Sequence, residues 1–91
     1  MNTPRIGIGD VVLSTAGHDQ GTAMVVVACL DAEFVLVCDG KTRTLQKPKR
    51  KKRKHLKPLT AQRMETVTQP TVLDAHIRKH LKALGHGTNR E

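Results

Sequence analysis

Residues Lys47 to Lys57, Lys-Pro-Lys-Arg-Lys-Lys-Arg-Lys-His-Leu-Lys, place eight Lys or Arg in eleven positions with no acid among them. No Asp or Glu occurs anywhere from Gly40 to Met64. Cations at this density repel one another and cannot be buried together, so they require water or a polyanion around them. The chemistry such a run can do is phosphate neutralisation, which releases condensed counterions and makes binding steeply salt-dependent. Lys41 and Arg43 extend the same surface. The candidate contacts are therefore Lys41, Arg43, Lys47, Lys49, Arg50, Lys51, Lys52, Arg53, Lys54, His55 and Lys57. The run also fits a nuclear-localisation pattern, which matters only in a eukaryote. It has no apolar face, so it does not read as a membrane-surface helix.

The rest of the chain is charged quite differently. Residues 1–39 have net charge −4, residues 40–64 have +11 and residues 65–91 have +1, together +8. A neutral-to-acidic platform followed by a basic arm is the footprint of a nucleic-acid binder. With 91 residues the chain has room for one small domain. Its longest apolar run, Ala23 to Leu30, is far too short to span a bilayer. Gly9 and Asp10 interrupt any signal-peptide core.

Nothing in the sequence frames an enzyme. There is no nucleophile elbow, no Gly-rich phosphate fingerprint and no paired carboxylate frame. His76 and His80 sit four apart on a helical face, which is half of a metal site, but Cys29 and Cys38 lack zinc-knuckle spacing. No metal and no cofactor is expected. The two cysteines suit reduced, buried thiols in a cytosolic protein and fall on opposite faces of a hairpin. Phe34 is the only aromatic residue, and its strand position places it in the core. That argues against reading bases by aromatic stacking and leaves structured RNA recognised by phosphate position and A-form shape.

Several short elements must position the arm. Asp10 to Thr15, Met24 to Leu30 and Phe34 to Cys38 are rich in Val, Leu and other strand formers, with turn signals between them. Residues 24–30 are apolar on both faces. Gly17 and Gly21 bracket a loop and suggest positive φ, with His18 between them. Asp39-Gly40 predicts a tight hairpin into a fourth strand at Thr42 to Leu45. Pro48 keeps the basic run out of a central strand, and His55, Leu56 and Leu59 can close a small antiparallel barrel. Ile6 and Ile8 can pin the lead-in. A linker at residues 60–70 precedes an amphipathic helix at 71–85. Thr71 is its expected N-cap, with Asp74 three residues on. Leu73, Ile77, Leu81 and Leu84 form its stripe and Gly85 its stop. Residues 86–91 suit a disordered tail.

The segment Gly-Asp-Val-Val-Leu-Ser-Thr-Ala-Gly-His-Asp-Gln-Gly at residues 9–21, followed by an apolar strand, resembles a KOW motif. With the Val35 to Gly40 strand and turn, and the run ending His55-Leu56-Lys57-Pro58, residues 9–59 resemble the fourteen-e family of archaeal and eukaryotic large-subunit ribosomal proteins. Small bacterial KOW-domain proteins are similar too. The resemblance implies an SH3-like barrel and contact with ribosomal RNA. Family loops often carry lysine beside the second glycine, where this chain has Gln20 and Thr22, so phosphate contact shifts to the arm.

The expectation is a mainly β protein: a small SH3-like barrel, or KOW domain, over residues 1–59 that includes the basic arm 47–57, with one C-terminal α-helix. Its function is non-enzymatic RNA binding as a ribosomal or ribosome-associated protein in translation. The partners are ribosomal RNA and ribosomal proteins. The protein is cytoplasmic, has no membrane partner and is monomeric when free. The alternative is a protein-interaction adaptor of the transcription or translation machinery that docks through the helix stripe.

Overall fold

A computed structural model describes residues 6–59 and 63–84. Strands β1 (Val11–Ser14), β2 (Ala23–Cys29), β3 (Phe34–Cys38), β4 (Lys49–Lys52) and β5 (Leu56–Pro58) precede one α-helix, α1 (Asp74–Ala83). Single turns of 3-10 helix occur at Arg53–His55 and Glu65–Thr68. The strands form one antiparallel sheet in the order β4-β3-β2-β1-β5. Only the three-residue turn at Arg53–His55 separates the two edge strands along the chain, so the sheet curls on itself. A register shift between Val26 and Ala28 adds local twist to β2. This mainly β architecture with one C-terminal helix fits the small KOW barrel that the resemblance implied.

Strand alternation divides the core into two clusters. Val12, Met24, Val26, Val35, Val37 and Leu56 fill the barrel, with Ile6 closing it. The opposite side chains of the same strands, Val11, Ala23, Val25 and Cys38, meet Met64, Val67, Ile77 and Leu81 outside the barrel. That explains why β2 is apolar on both faces: one lies inside the barrel and the other lies under the helix. Ile77 and Leu81 are fully buried there. The helix stripe is thus spent on the sheet, and the docking face imagined for an adaptor is covered. Leu73, expected in that stripe, is 59% exposed.

Several local expectations are corrected. Residues 41–47 form no strand; the fourth strand is the basic run itself, Lys49–Lys52. The Asp39 carboxylate accepts the backbone N–H groups of Lys41 and Arg43, which curls the chain into a longer loop instead of a tight hairpin. Pro48 stands just before β4, and β4 lies at the sheet edge, where a missing N–H is tolerated. The helix starts later than Thr71. Leu73 is its N-cap residue, and His76 Nδ1 accepts the Leu73 N–H. The Asp74 carboxylate reaches across the fold to accept the Leu45 N–H at 2.7 Å. Ile6 pins the lead-in as expected, whereas Ile8 is 40% exposed. Both cysteines are free; Cys38 is buried but Cys29 is exposed. The Gly85 stop, the 86–91 tail and part of the 60–70 linker lie outside the described residues.

Removing the Leu81 side chain leaves a cavity between helix and sheet. Leu81→Ala is expected to cost about 2–5 kcal/mol of stability, while Leu73→Ala costs less than about 0.5 kcal/mol. Urea unfolding midpoints measure both. Equal midpoints for the two variants would contradict docking of the helix through Leu81.

Candidate nucleic-acid interface

Pairing of β4 with β3 sorts the basic run by parity. Lys49 pairs with Val37 and Lys51 with Val35, so these two share the barrel side. Arg50 pairs with Leu36 and Lys52 with Phe34 on the outer side. Lys51 is consequently 7% exposed. Its ammonium donates to the Ala16 carbonyl at 2.8 Å and to Asp19 Oδ1 at 3.0 Å. Arg53 is also engaged within the fold, donating to the carbonyls of Ile6 at 2.7 Å and Asp31 at 3.1 Å. Two of the residues singled out as RNA contacts therefore hold the fold together.

The remaining candidates are accessible to solvent to differing degrees. Lys41, Lys47, Arg50, Lys54 and Lys57 are exposed; Arg43, Lys49, Lys52 and His55 are half-buried. Lys52 lies 3.8 Å from Glu33, a loose and exposed pair. The other ion pairs among the described residues are Lys51 with Asp19 and Arg63 with Asp10. Lys41, Lys47, Lys49, Arg50, Lys54 and Lys57 thus make no ion pair among the described residues, although the Arg50 charge acts on exposed Asp31. Their charge is available to an anion.

The glycine loop is built around Asp19. Gly17 and Gly21 adopt φ of +87° and +89°, the left-handed region that glycine enters without strain. Asp19 Oδ1 accepts from the Ser14 hydroxyl at 2.9 Å as well as from Lys51. Burial opposes ionisation of Asp19, but the hydrogen bonds from Lys51 and Ser14 and the Lys51 charge outweigh it and hold the carboxyl below its usual value. Exposed His18 and the 39–43 loop meet across a cleft of about 200 Å³ lined also by Thr22, Thr42 and Arg43, with Met24 among its walls. The fold brings His18 and Arg43 to one place, although they are far apart in sequence.

Two features were not anticipated from the sequence. Phe34, expected in the core, is half-buried on the outer face of β3, and the Arg50 guanidinium lies over its ring at 4.6 Å. On the helix, Arg78, Lys79 and Lys82 are exposed, and Arg78 also donates to the Gly40 carbonyl. Strand parity carried the first signal: Phe34 is two residues from Leu36 and one from buried Val35.

The Cys38 thiol is pushed up to about 12, by burial first and then by the Asp74 and Asp39 charges, so it stays protonated. It donates to the Thr44 carbonyl at 3.2 Å. Among the described residues no three His, Cys, Asp or Glu side chains converge as a metal site, and no helix is long and apolar enough to cross a membrane.

Comparison with curated proteins places two archaeal ribosomal proteins among the matches. The large ribosomal subunit protein eL14 of Staphylothermus marinus is 38% identical over 56 residues, 62% of this chain and 58% of that protein. Its counterpart in Desulfurococcus amylolyticus is 38% identical over 55 residues, 60% of this chain and 57% of that protein. This chain is similar to eL14. The resemblance to the fourteen-e family is therefore supported across most of the chain. The match to eL14 spans less than two thirds of the length of these relatives. No family model matches the chain.

Lys51→Met would leave the Asp19 carboxylate desolvated and without its cation. The expected loss is about 1–3 kcal/mol at neutral pH, against little change for exposed Lys54→Met. A carboxyl with a lowered folded-state value adds stability above its unfolded value, near 3.8, and that contribution is lost as pH falls through the folded value. In Lys51→Met the lowering disappears, so acid unfolding should begin at higher pH than in wild type. Superimposable acid-unfolding curves by circular dichroism would contradict the role given to this pair.

Proposed function

We propose that this protein is a non-enzymatic RNA-binding module that sits on the large ribosomal subunit, as a component or an associated factor, and contacts ribosomal RNA phosphates. The observation that carries this reading is the set of solvent-accessible cations along β4, the following turn and β5 that make no ion pair among the described residues: Lys49, Arg50, Lys54 and Lys57. Lys41 and Lys47 flank them on the 39–48 loop, with Arg43 and His18 at the adjacent cleft. The relatives that share residues with this chain are named as large ribosomal subunit proteins, and that supports ribosomal RNA and neighbouring ribosomal proteins as partners. The protein accordingly works where ribosomes work, in the cytoplasm, and is monomeric when free.

The barrel holds the backbone of β4 and β5 fixed, so the cations reach phosphates from a preset geometry. That lowers the ordering cost that a free basic tail pays on binding. If about six side chains reach phosphates, log K falls with log salt with a slope of about −4 to −5. Neutralising Lys49, Lys54 and Lys57 together, while sparing Lys51 and Arg53, is expected to flatten that slope by about 2 to 3. Filter binding to large-subunit RNA over a salt series checks this. An unchanged slope in the triple variant, with its circular dichroism intact, would remove these residues from the interface.

A further inference from the structure

The position of Phe34 has no packing rationale. It is the only aromatic residue of the chain, yet it belongs to neither core cluster. Its strand neighbour Val35 is fully buried while Phe34 remains half-exposed. What covers the ring is charge: Arg50 at 4.6 Å and Lys52 at 5.9 Å from the centroid. Arg50 is exposed and makes no ion pair or hydrogen bond among the described residues. Its guanidinium is steadied by the ring beneath it and is otherwise open.

We infer that Phe34 and Arg50 form a stacking platform for one unpaired RNA nucleobase. A planar guanidinium stacks on aromatic faces, and unpaired bases stack on guanidinium planes as they do on aromatic rings. The ring holds Arg50 in place before RNA arrives, which reduces the side-chain entropy lost on binding. Register puts Arg50 on the face of β4 opposite to Lys49 and Lys51 and together with Phe34 and Lys52, so the platform stands on the outer surface of the sheet. Every base has a flat face, so the platform selects an unpaired base over a paired one and not one base over another. It gives the module a means of preferring bulges and loops, which phosphate contacts alone do not supply. The inference rests on the RNA reading above and refines it.

The test uses two RNA hairpins that differ at one bulged position, which carries a nucleobase in one and an abasic ribose in the other. Charge and backbone are the same in both. Fluorescence anisotropy on the full chain is expected to show wild type binding the base-bearing bulge at least about fivefold more tightly, the lower end of base stacking. Arg50→Lys keeps the charge and loses the plane; it should reduce the preference to near parity. Phe34→Leu should reduce the preference as well, with its urea midpoint reporting any loss of fold. Tight binding without preference in wild type, or full preference in Arg50→Lys, overturns the platform and leaves the RNA reading standing. No binding of either hairpin overturns the RNA reading, and the platform with it.

Discussion

One ammonium group inside the barrel ties the two functional segments together. Lys51 comes from the basic strand and Asp19 from the glycine loop, and they meet at 3.0 Å with little solvent around the lysine. A buried pair of this kind is weak evidence for net stability, because desolvation offsets the attraction. Its consequence here is specificity of register. Shifting β4 by one residue on β3 would turn Arg50 and Lys52 inward and Lys51 out, breaking the contact between Lys51 and Asp19. The pair thereby decides which half of the basic run faces solvent. It also fixes the loop: with Asp19 Oδ1 taken by Lys51 and Ser14, the turn between Gly17 and Gly21 has one arrangement.

The second constraint comes from the helix. Strands β1 to β3 are apolar on both faces, and without α1 the outer set Val11, Ala23, Val25 and Cys38 would lie in water. Burying them costs the chain its helix stripe as a free surface. The helix also reaches into the 39–48 loop from two points, Asp74 to the Leu45 N–H and Arg78 to the Gly40 carbonyl. Gly40 has φ +79°, and a Cβ there would sit 2.5 Å from the Asp74 carbonyl, so only glycine admits this approach. The loop that carries Lys41, Arg43 and Lys47 is thus held by the helix, just as the glycine loop is held by Lys51.

Much of this was legible in the sequence. β-branched runs located β1, β2 and β3, with Phe34–Cys38 placed to the residue, and the apolar stripe located the helix. The glycine loop and its positive φ values followed from spacing. The basic run as an exposed arm did not survive, because charge density hides alternation: every residue of Lys49–Lys52 is cationic, so nothing in the local pattern distinguishes inward Lys51 from outward Arg50. Only its partner, Asp19, thirty-two residues away, makes the distinction. The strand proposed at Thr42 to Leu45 failed for a similar reason. Asp39 carries the turn signal, but its carboxylate closes a wider loop by capping two N–H groups. Strand position alone places Phe34 in the core, whereas its register puts it on the outer face.

The central claim is that the basic run is divided between residues that build the fold and residues that meet RNA. Lysine labelling of the native protein, read by mass spectrometry with and without large-subunit RNA, tests it most directly. The account predicts that Lys51 resists labelling in both conditions and reacts only on unfolding. Lys49, Lys54 and Lys57 should label readily alone and become protected by RNA. Lys51 labelling as fast as Lys54 in the native protein, or RNA leaving Lys49, Lys54 and Lys57 as reactive as before, would contradict this division.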